Sequence, residues 1–170
     1  SSYIHLPIWN GSGKTVLFVN YFVEKLDHTS SEVAKKIWEL FQLGYQVEAD
    51  LLQIRQFPPL ERSCANIGMN DSEFFGIWVH KVLIASIEIS KVETTLLIDS
   101  LVVNPEYFRQ GFATALLTQV LNKFSCEEFR VNTAAKNVHA LALYKKVGFV
   151  ESGSQVYRDS IECIELIYRA

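Results

Sequence analysis

Residues 104–114 read Asn-Pro-Glu-Tyr-Phe-Arg-Gln-Gly-Phe-Ala-Thr, and the rest of the chain is best understood outward from them. They follow an apolar run, Leu96 to Val103, that reads as a strand. Beyond them Ala113, Leu116, Leu117, Val120, Leu121 and Phe124 recur at steps of three and four, which gives a helix one apolar face. A strand, a tight loop and a helix N-terminus together form a device for holding phosphate. The first N–H groups of a helix have no intrahelical partner, and the helix dipole favours negative charge beside them. Gly111 lets the backbone approach a ligand closely, Ala113 has almost no side chain to obstruct it, and Arg109 adds positive charge at the mouth. Single-glycine loops are common, so this stretch alone also fits an ordinary strand–loop–helix unit.

A second stretch narrows the choice. Residues 137–149 read Asn-Val-His-Ala-Leu-Ala-Leu-Tyr-Lys-Lys-Val-Gly-Phe, after a strand-like run from Phe129 to Thr133. Asn137 suits a helix N-cap, Ala140, Leu143, Tyr144 and Val147 lie along one stripe, and Gly148 suits a C-cap. Phe149-Val150 then starts another strand. Gly111-Phe112-Ala113, followed by Asn137, Ala140, Tyr144, Gly148 and Phe149, resembles the GCN5-related N-acetyltransferase (GNAT) superfamily. The Val103-Asn104-Pro105 junction is similar as well. The family's Gln or Arg three positions before Gly111 is Phe108 here, with Arg109 and Gln110 just after it. Backbone amides carry most of a pyrophosphate site, so this departure changes its physics little. The resemblance runs from Leu96 to the C-terminus.

At 170 residues, 49% of them hydrophobic, the chain fits a single domain, 1–170, with a sizeable core. A net charge of −3 and a pI near 5.8 do not suit electrostatic binding of nucleic acid. No apolar run approaches the ~20 residues needed to cross a bilayer. Cys64, Cys126 and Cys163 are too few and too scattered for a disulfide framework or a zinc pattern, and the four histidines form no i,i+4 pair. The expectation is a metal-free protein with reduced thiols, no nucleic-acid or membrane partner and, lacking a signal peptide, a cytoplasmic location.

Along the chain, residues 1–13 look irregular (Pro7, Gly11, Gly13), and Lys14 to Val23 reads as a strand. Thr29 and Glu32 form a capping box before a helix carrying Val33, Ile37, Leu40 and Phe41. Gly44 is expected to break that helix, a short second one to run over Gln46–Leu52, and Pro58-Pro59 to end the helical region. Asn70-Asp71-Ser72 signals a turn. Glu73–His80 and Leu83–Ser90 read as strands across a tight turn near Lys81, with Leu83, Ala85, Ile87 and Ile89 on one face and Ile84, Ser86, Glu88 and Ser90 on the other. The pattern predicts an α/β fold with a mixed sheet and helices on both faces. A Rossmann reading fails for want of a Gly-x-Gly-x-x-Gly loop.

The resemblance implies more than the pattern does. It implies a mostly antiparallel central sheet in which Leu96–Val103 and Phe129–Thr133 splay apart to admit acetyl-CoA. Backbone groups of Leu101, Val102 and Val103 would face the pantetheine arm. The amides of Arg109, Gln110, Gly111, Phe112, Ala113 and Thr114 would hold the pyrophosphate. It further implies transfer of acetyl to a primary amine of a small molecule or a protein, by direct attack, with CoA as product; it also allows a homodimer. Tyr144 occupies the family's tyrosine position, where a phenol of reference pKa ~10 can protonate the departing sulfur or simply pack its ring. Asn137 either contacts the pantetheine or only caps its helix. Some relatives place a glutamate base where Asn132 stands, and an amide cannot take up that proton. Asp99, within an apolar strand, Glu88, or a water chain remain as bases. Glu48 and Asp50 would attract a cationic amine or belong to a solvated helix face, while Tyr45, Phe57 and Phe75 would form an apolar wall or core. The alternative on the same fold is a domain that binds or senses acyl-CoA without turnover.

Overall fold

The structure is a computed structural model that describes residues 4–9, 16–157 and 161–170, with side chains from residue 21 onward. Strands β1 (Ile4–Trp9) and β2 (Val16–Tyr21) pair antiparallel as a small separate sheet, Ile4 opposite Tyr21 and Trp9 opposite Val16. Residues 4–9 are therefore a strand, not irregular. Among the described residues β1 is an edge strand, a position where proline is tolerated. The rest of segment 1–13, and Lys14-Thr15 of the strand expected from Lys14, lie outside the described residues.

The main sheet contains β3 (Glu24–Leu26), β4 (Glu73–Val79), β5 (Val82–Val92), β6 (Thr95–Val103), β7 (Glu128–Ala134), β8 (Val150–Tyr157) and β9 (Ile161–Arg169). Their spatial order is β3-β4-β5-β6-β7-β9-β8, and every neighbouring pair is antiparallel except β6–β7. This is the mixed, mostly antiparallel sheet expected. His80 and Lys81, both at positive φ (47° and 65°), make the two-residue turn between β4 and β5, a geometry whose twist matches that of the strands.

Helix α1 (Ser31–Leu52), with the short α2 (Pro58–Glu61) and α3 (Cys64–Met69), precedes β4; α4 (Phe112–Lys123) follows β6, and α5 (Val138–Val147) follows β7. One core joins α4 and α5 to the sheet through Leu116, Leu117, Val120 and Tyr144, packed with Ile87, Phe129 and Leu166. The other joins α1 and α3 to the opposite face through Ile37, Phe41 and Ile67, packed with Phe74 and Val102. Both faces of the sheet are covered, so β5 is buried almost throughout rather than alternating. Its phase also slips. Ile77 lies opposite Ala85 and Trp78 opposite Leu83, which makes Ile84 a bulge. Leu83 consequently joins the α1-side core while Ala85, Ile87 and Ile89 join the other.

Three local expectations change. Gly44 does not break α1, which runs unbroken for 22 residues; the glycine serves close packing against β6 instead. Pro58 and Pro59 do not end the helical region but open α2, where a missing N–H costs nothing. The N-cap of α1 is Ser30, not Thr29, whose hydroxyl donates to the Asp27 carboxylate. The Asn70 turn is as expected, its Oδ1 accepting from the Ser72 N–H at 2.9 Å.

Candidate active site

The parallel pairing of β6 and β7 covers only four residues, Thr95–Ile98 against Glu128–Val131. Beyond Ile98 and Val131 the strands part. Leu101, Val102 and Val103 keep their partners on β5, and Asn132, Thr133 and Ala134 keep theirs on β9, but the facing edges are not paired with each other. A bulge marks the place where β6 turns away. Ile98 and Ser100 oppose consecutive β5 residues, leaving Asp99 between them as the extra residue. Asn104 donates its N–H to Ile84 O at 2.7 Å, on the β5 side. Successive N–H groups of a strand point to opposite edges, so those of Val103 and Leu101 face the gap while that of Val102 faces β5. Val102 itself is buried, its side chain against α1. Of the three backbone positions expected at the ligand, Leu101 and Val103 thus offer free donors.

The gap opens into a cavity of about 510 Å³. Asp99 and Leu101 line it from β6, Asn132 and Thr133 from β7, and Asn137 and Tyr144 from α5. Helix α1 contributes Tyr45 and Glu48, one turn apart on the same face. Burial pushes the Glu48 carboxyl above the usual range, partly opposed by a hydrogen bond from Asn137. Asn137 also caps α5, its Oδ1 accepting from the Ala140 N–H at 3.1 Å. Burial, and then the Glu48 charge, raise the Tyr144 phenol well above its ordinary value. The Tyr144 ring packs edge-on against Phe149 at 5.6 Å while also lining the cavity. Asp99 is raised too, first by partial burial and further by the Glu88 charge, with the Ser90 hydrogen bond and Arg62 opposing. The cavity's thiol, Cys163, is pushed up by burial and by Glu48.

At the mouth of the gap the loop takes the shape its sequence foretold. Pro105–Tyr107 forms a 3-10 turn capped by Asn104, whose Oδ1 accepts from the Glu106 N–H at 3.0 Å. Arg109 (φ 59°) and Gly111 (φ 85°) are left-handed, and Gly111 is the N-cap of α4. Among the described residues, the amides of Arg109, Gln110, Gly111, Phe112, Ala113 and Thr114 donate no backbone hydrogen bond. Phe112 presents only its backbone here; its ring is buried against Tyr21 (4.8 Å) and Tyr107 (5.8 Å) and anchors the loop to the core. Six consecutive free donors at a helix N-terminus fit a diphosphate.

Glu88 does not belong to this cavity. It is buried (2% exposed), and its carboxylate accepts from both terminal nitrogens of Arg62, at 2.7 and 2.9 Å, from the Ser72 hydroxyl at 2.7 Å and from Ser100 at 3.0 Å. With both oxygens taken it is a structural ion-pair residue, which corrects its candidacy as a base. Asp50 is exposed and Phe75 lies in the core, whereas Tyr45 and Phe57 do wall the cavity. Tyr157, Ile161 and Cys163 also line it, from β8 and β9. No motif marks them; the antiparallel pairing of β9 with β7 brings in Cys163, and the pairing of β8 with β9 sets Tyr157 opposite Ile161.

Comparison with known proteins follows the same outline. The family model described as "Acetyltransferase (GNAT) family" matches residues 34–149. The UPF0157 protein YqkA of Bacillus subtilis (strain 168) is 30% identical over 128 residues, 75% of this chain but 37% of that protein; the chain thus spans little more than a third of this relative. The N-acetyltransferase of Escherichia coli that acts on a ribosomal-protein alanine superposes with a TM-score of 0.69 at 18% identity, covering 88% of this chain and 93% of that one. The PaiA N-acetyltransferase of Thermoplasma acidophilum, solved in complex with coenzyme A, gives 0.68 at 19% identity, covering 88% and 100%. At these identities the superpositions establish the fold. No described helix is long and apolar enough to cross a membrane.

Proposed function

Because this chain belongs to the acetyltransferase (GNAT) family, we propose that it transfers the acetyl group of acetyl-CoA directly to a primary amine held in the same cavity. The observation that carries this reading is the parting of β6 from β7 beyond Ile98 and Val131, with Tyr144 beneath the opening. The free N–H of Val103, beside the loop, suits an amide of a pantetheine arm, and the six amides from Arg109 to Thr114 suit its diphosphate.

Side-by-side binding of thioester and amine removes much of the entropic barrier. Among the described residues, Asp99 and Glu48 are the carboxylates lining the cavity. Each is raised above the ordinary carboxylate range, which makes it a better match to the task of taking the ammonium proton, directly or through one water. The amine nitrogen then attacks the thioester carbon. The gap-side N–H of Leu101, the farther of the two from the diphosphate loop, is available to the oxyanion that forms. As the carbon–sulfur bond breaks, Tyr144 donates its proton to the sulfur and is reprotonated by the second proton leaving the nitrogen, directly or through water, giving an amide and CoA. Direct attack is favoured over an acetyl-cysteine route because Cys163 is held as the thiol, the poorly nucleophilic form.

The test is thiol release from acetyl-CoA over a panel of primary amines, beside calorimetric CoA binding to the wild type and to Gly111→Val. Amine-dependent release, with weaker CoA binding in the variant, is expected. Binding without turnover of any amine would favour a non-catalytic acyl-CoA-binding domain, and unchanged affinity in the variant would remove the loop from the site.

A further inference from the structure

The walls of the cavity restrict the acceptor. Building on the acetyl-transfer reading above, we infer that the acceptor is a small primary amine on an apolar, aromatic-sized body with no carboxylate beside the nitrogen, the aralkylamine class.

The first ground is charge. The described residues lining the cavity include two carboxylates, Glu48 on the α1 wall and Asp99 at the β6 bulge, and no Lys, Arg or His. The guanidinium close enough to influence Asp99 is that of Arg62. It is already committed: both terminal nitrogens go to Glu88, and its Nε donates to Asn66 Oδ1 at 2.7 Å. A free amino acid would therefore bring a carboxylate to a wall whose described residues carry two carboxylates and no cation. An ammonium without a carboxylate meets opposite charge at both Glu48 and Asp99. Like charges set against each other in a recognition site cost several kcal/mol, enough for selection by about a hundredfold.

The second ground is the apolar share of the wall. Phe57, the N-cap of α2, and Pro58, its first residue, face the same space as the two carboxylates, together with Tyr45 from α1 and Tyr157 and Ile161 from β8 and β9. Such a surface rewards burial of an aromatic body and offers few partners to a peptide backbone. A peptide would have to leave amide groups unpaired there.

The test compares kcat/KM for 2-phenylethylamine, phenylalanine and phenylalaninamide, three acceptors that differ only beside the nitrogen, with spermidine and an alanine-initiated tripeptide as further arms. The wild-type protein is used with saturating acetyl-CoA. Phenylethylamine should exceed phenylalanine by about a hundredfold, and phenylalaninamide should recover most of that difference. Asp99→Asn and Glu48→Gln should narrow the ratio of phenylethylamine to phenylalanine, a change that general loss of activity would not produce. Phenylalanine equal to or better than phenylethylamine overturns the inference and leaves acetyl transfer standing. So does spermidine or the tripeptide as the best acceptor. No turnover of any of the five, with CoA still bound, overturns the transfer reading and this inference together.

Discussion

A Cβ placed on Gly44 would run into Cγ1 of Val102 and come within 3.1 Å of the Val103 carbonyl oxygen. The middle of the longest helix thus rests directly on the strand that opens the gap. The same contact holds Tyr45 and Glu48, just beyond the glycine, against the cavity.

Gly44→Ala is therefore expected to destabilise the protein although alanine favours a helix by about 1 kcal/mol. Overpacking costs about 1–3 kcal/mol where neighbours cannot yield, and here one neighbour is strand backbone. Urea unfolding of the variant measures the balance. A gain in stability would mean that α1 is free to lift away from β6.

Arg62 and Glu88 form a buried pair reinforced by Ser72 and Ser100. Removing one partner leaves a buried charge unmatched, so Arg62→Ala should cost about 3–5 kcal/mol. Arg62→Met combined with Glu88→Gln should recover part of that loss by removing the charge as well. A double-mutant cycle on unfolding free energy reads the coupling, and a value near zero would make the pair incidental.

Tyr144→Phe keeps the ring on Phe149 and removes only the hydroxyl. The kcat should fall about 10²–10⁴-fold, the range for loss of a general acid, with little change in CoA affinity. Because burial and Glu48 hold this phenol above its ordinary value, it stays protonated across the neutral range, and its ionisation should not limit the rate at mildly alkaline pH. Equal losses in kcat and in CoA binding would assign the ring a packing role.

Glu48 gives a pH-dependent stability of definite sign. Its carboxyl is raised in the folded state by burial, so between the unfolded value of about 4.3 and the raised native value the native protein binds more protons than the unfolded chain. Stability should fall as pH rises through that window, and the full penalty should be present above it. Glu48→Gln removes the penalty while keeping an acceptor for Asn137. The variant should be more stable than wild type at neutral pH, with the advantage shrinking as pH is lowered toward 4.3. Thermal unfolding across pH 4 to 8 tests this, and an advantage that grows toward acid would reverse the assignment.

Much of this molecule is local and therefore legible along the chain. The phosphate loop is one: Gly111 adopts the left-handed backbone that a glycine permits, and the amides that follow are free because every helix begins with unpartnered donors. The caps of α5 at Asn137 and Gly148 are another, each set by a single residue and its near neighbours. The turn after Asn70 belongs to the same class. What failed was what depends on a distant partner. Gly44 reads as a breaker until Val102 is seen beside it, and Glu88 reads as a candidate base until Arg62, 26 residues earlier, closes over it. The cavity's composition is of that second kind. Periodicity and turn chemistry act over a few residues and so are fixed by the sequence itself. Only the pairing of β9 with β7 and the lie of α1 across β6 bring Glu48, Asp99, Tyr144 and Cys163 to one place, because the burial and opposing charges that shape their chemistry come from segments far apart in the chain.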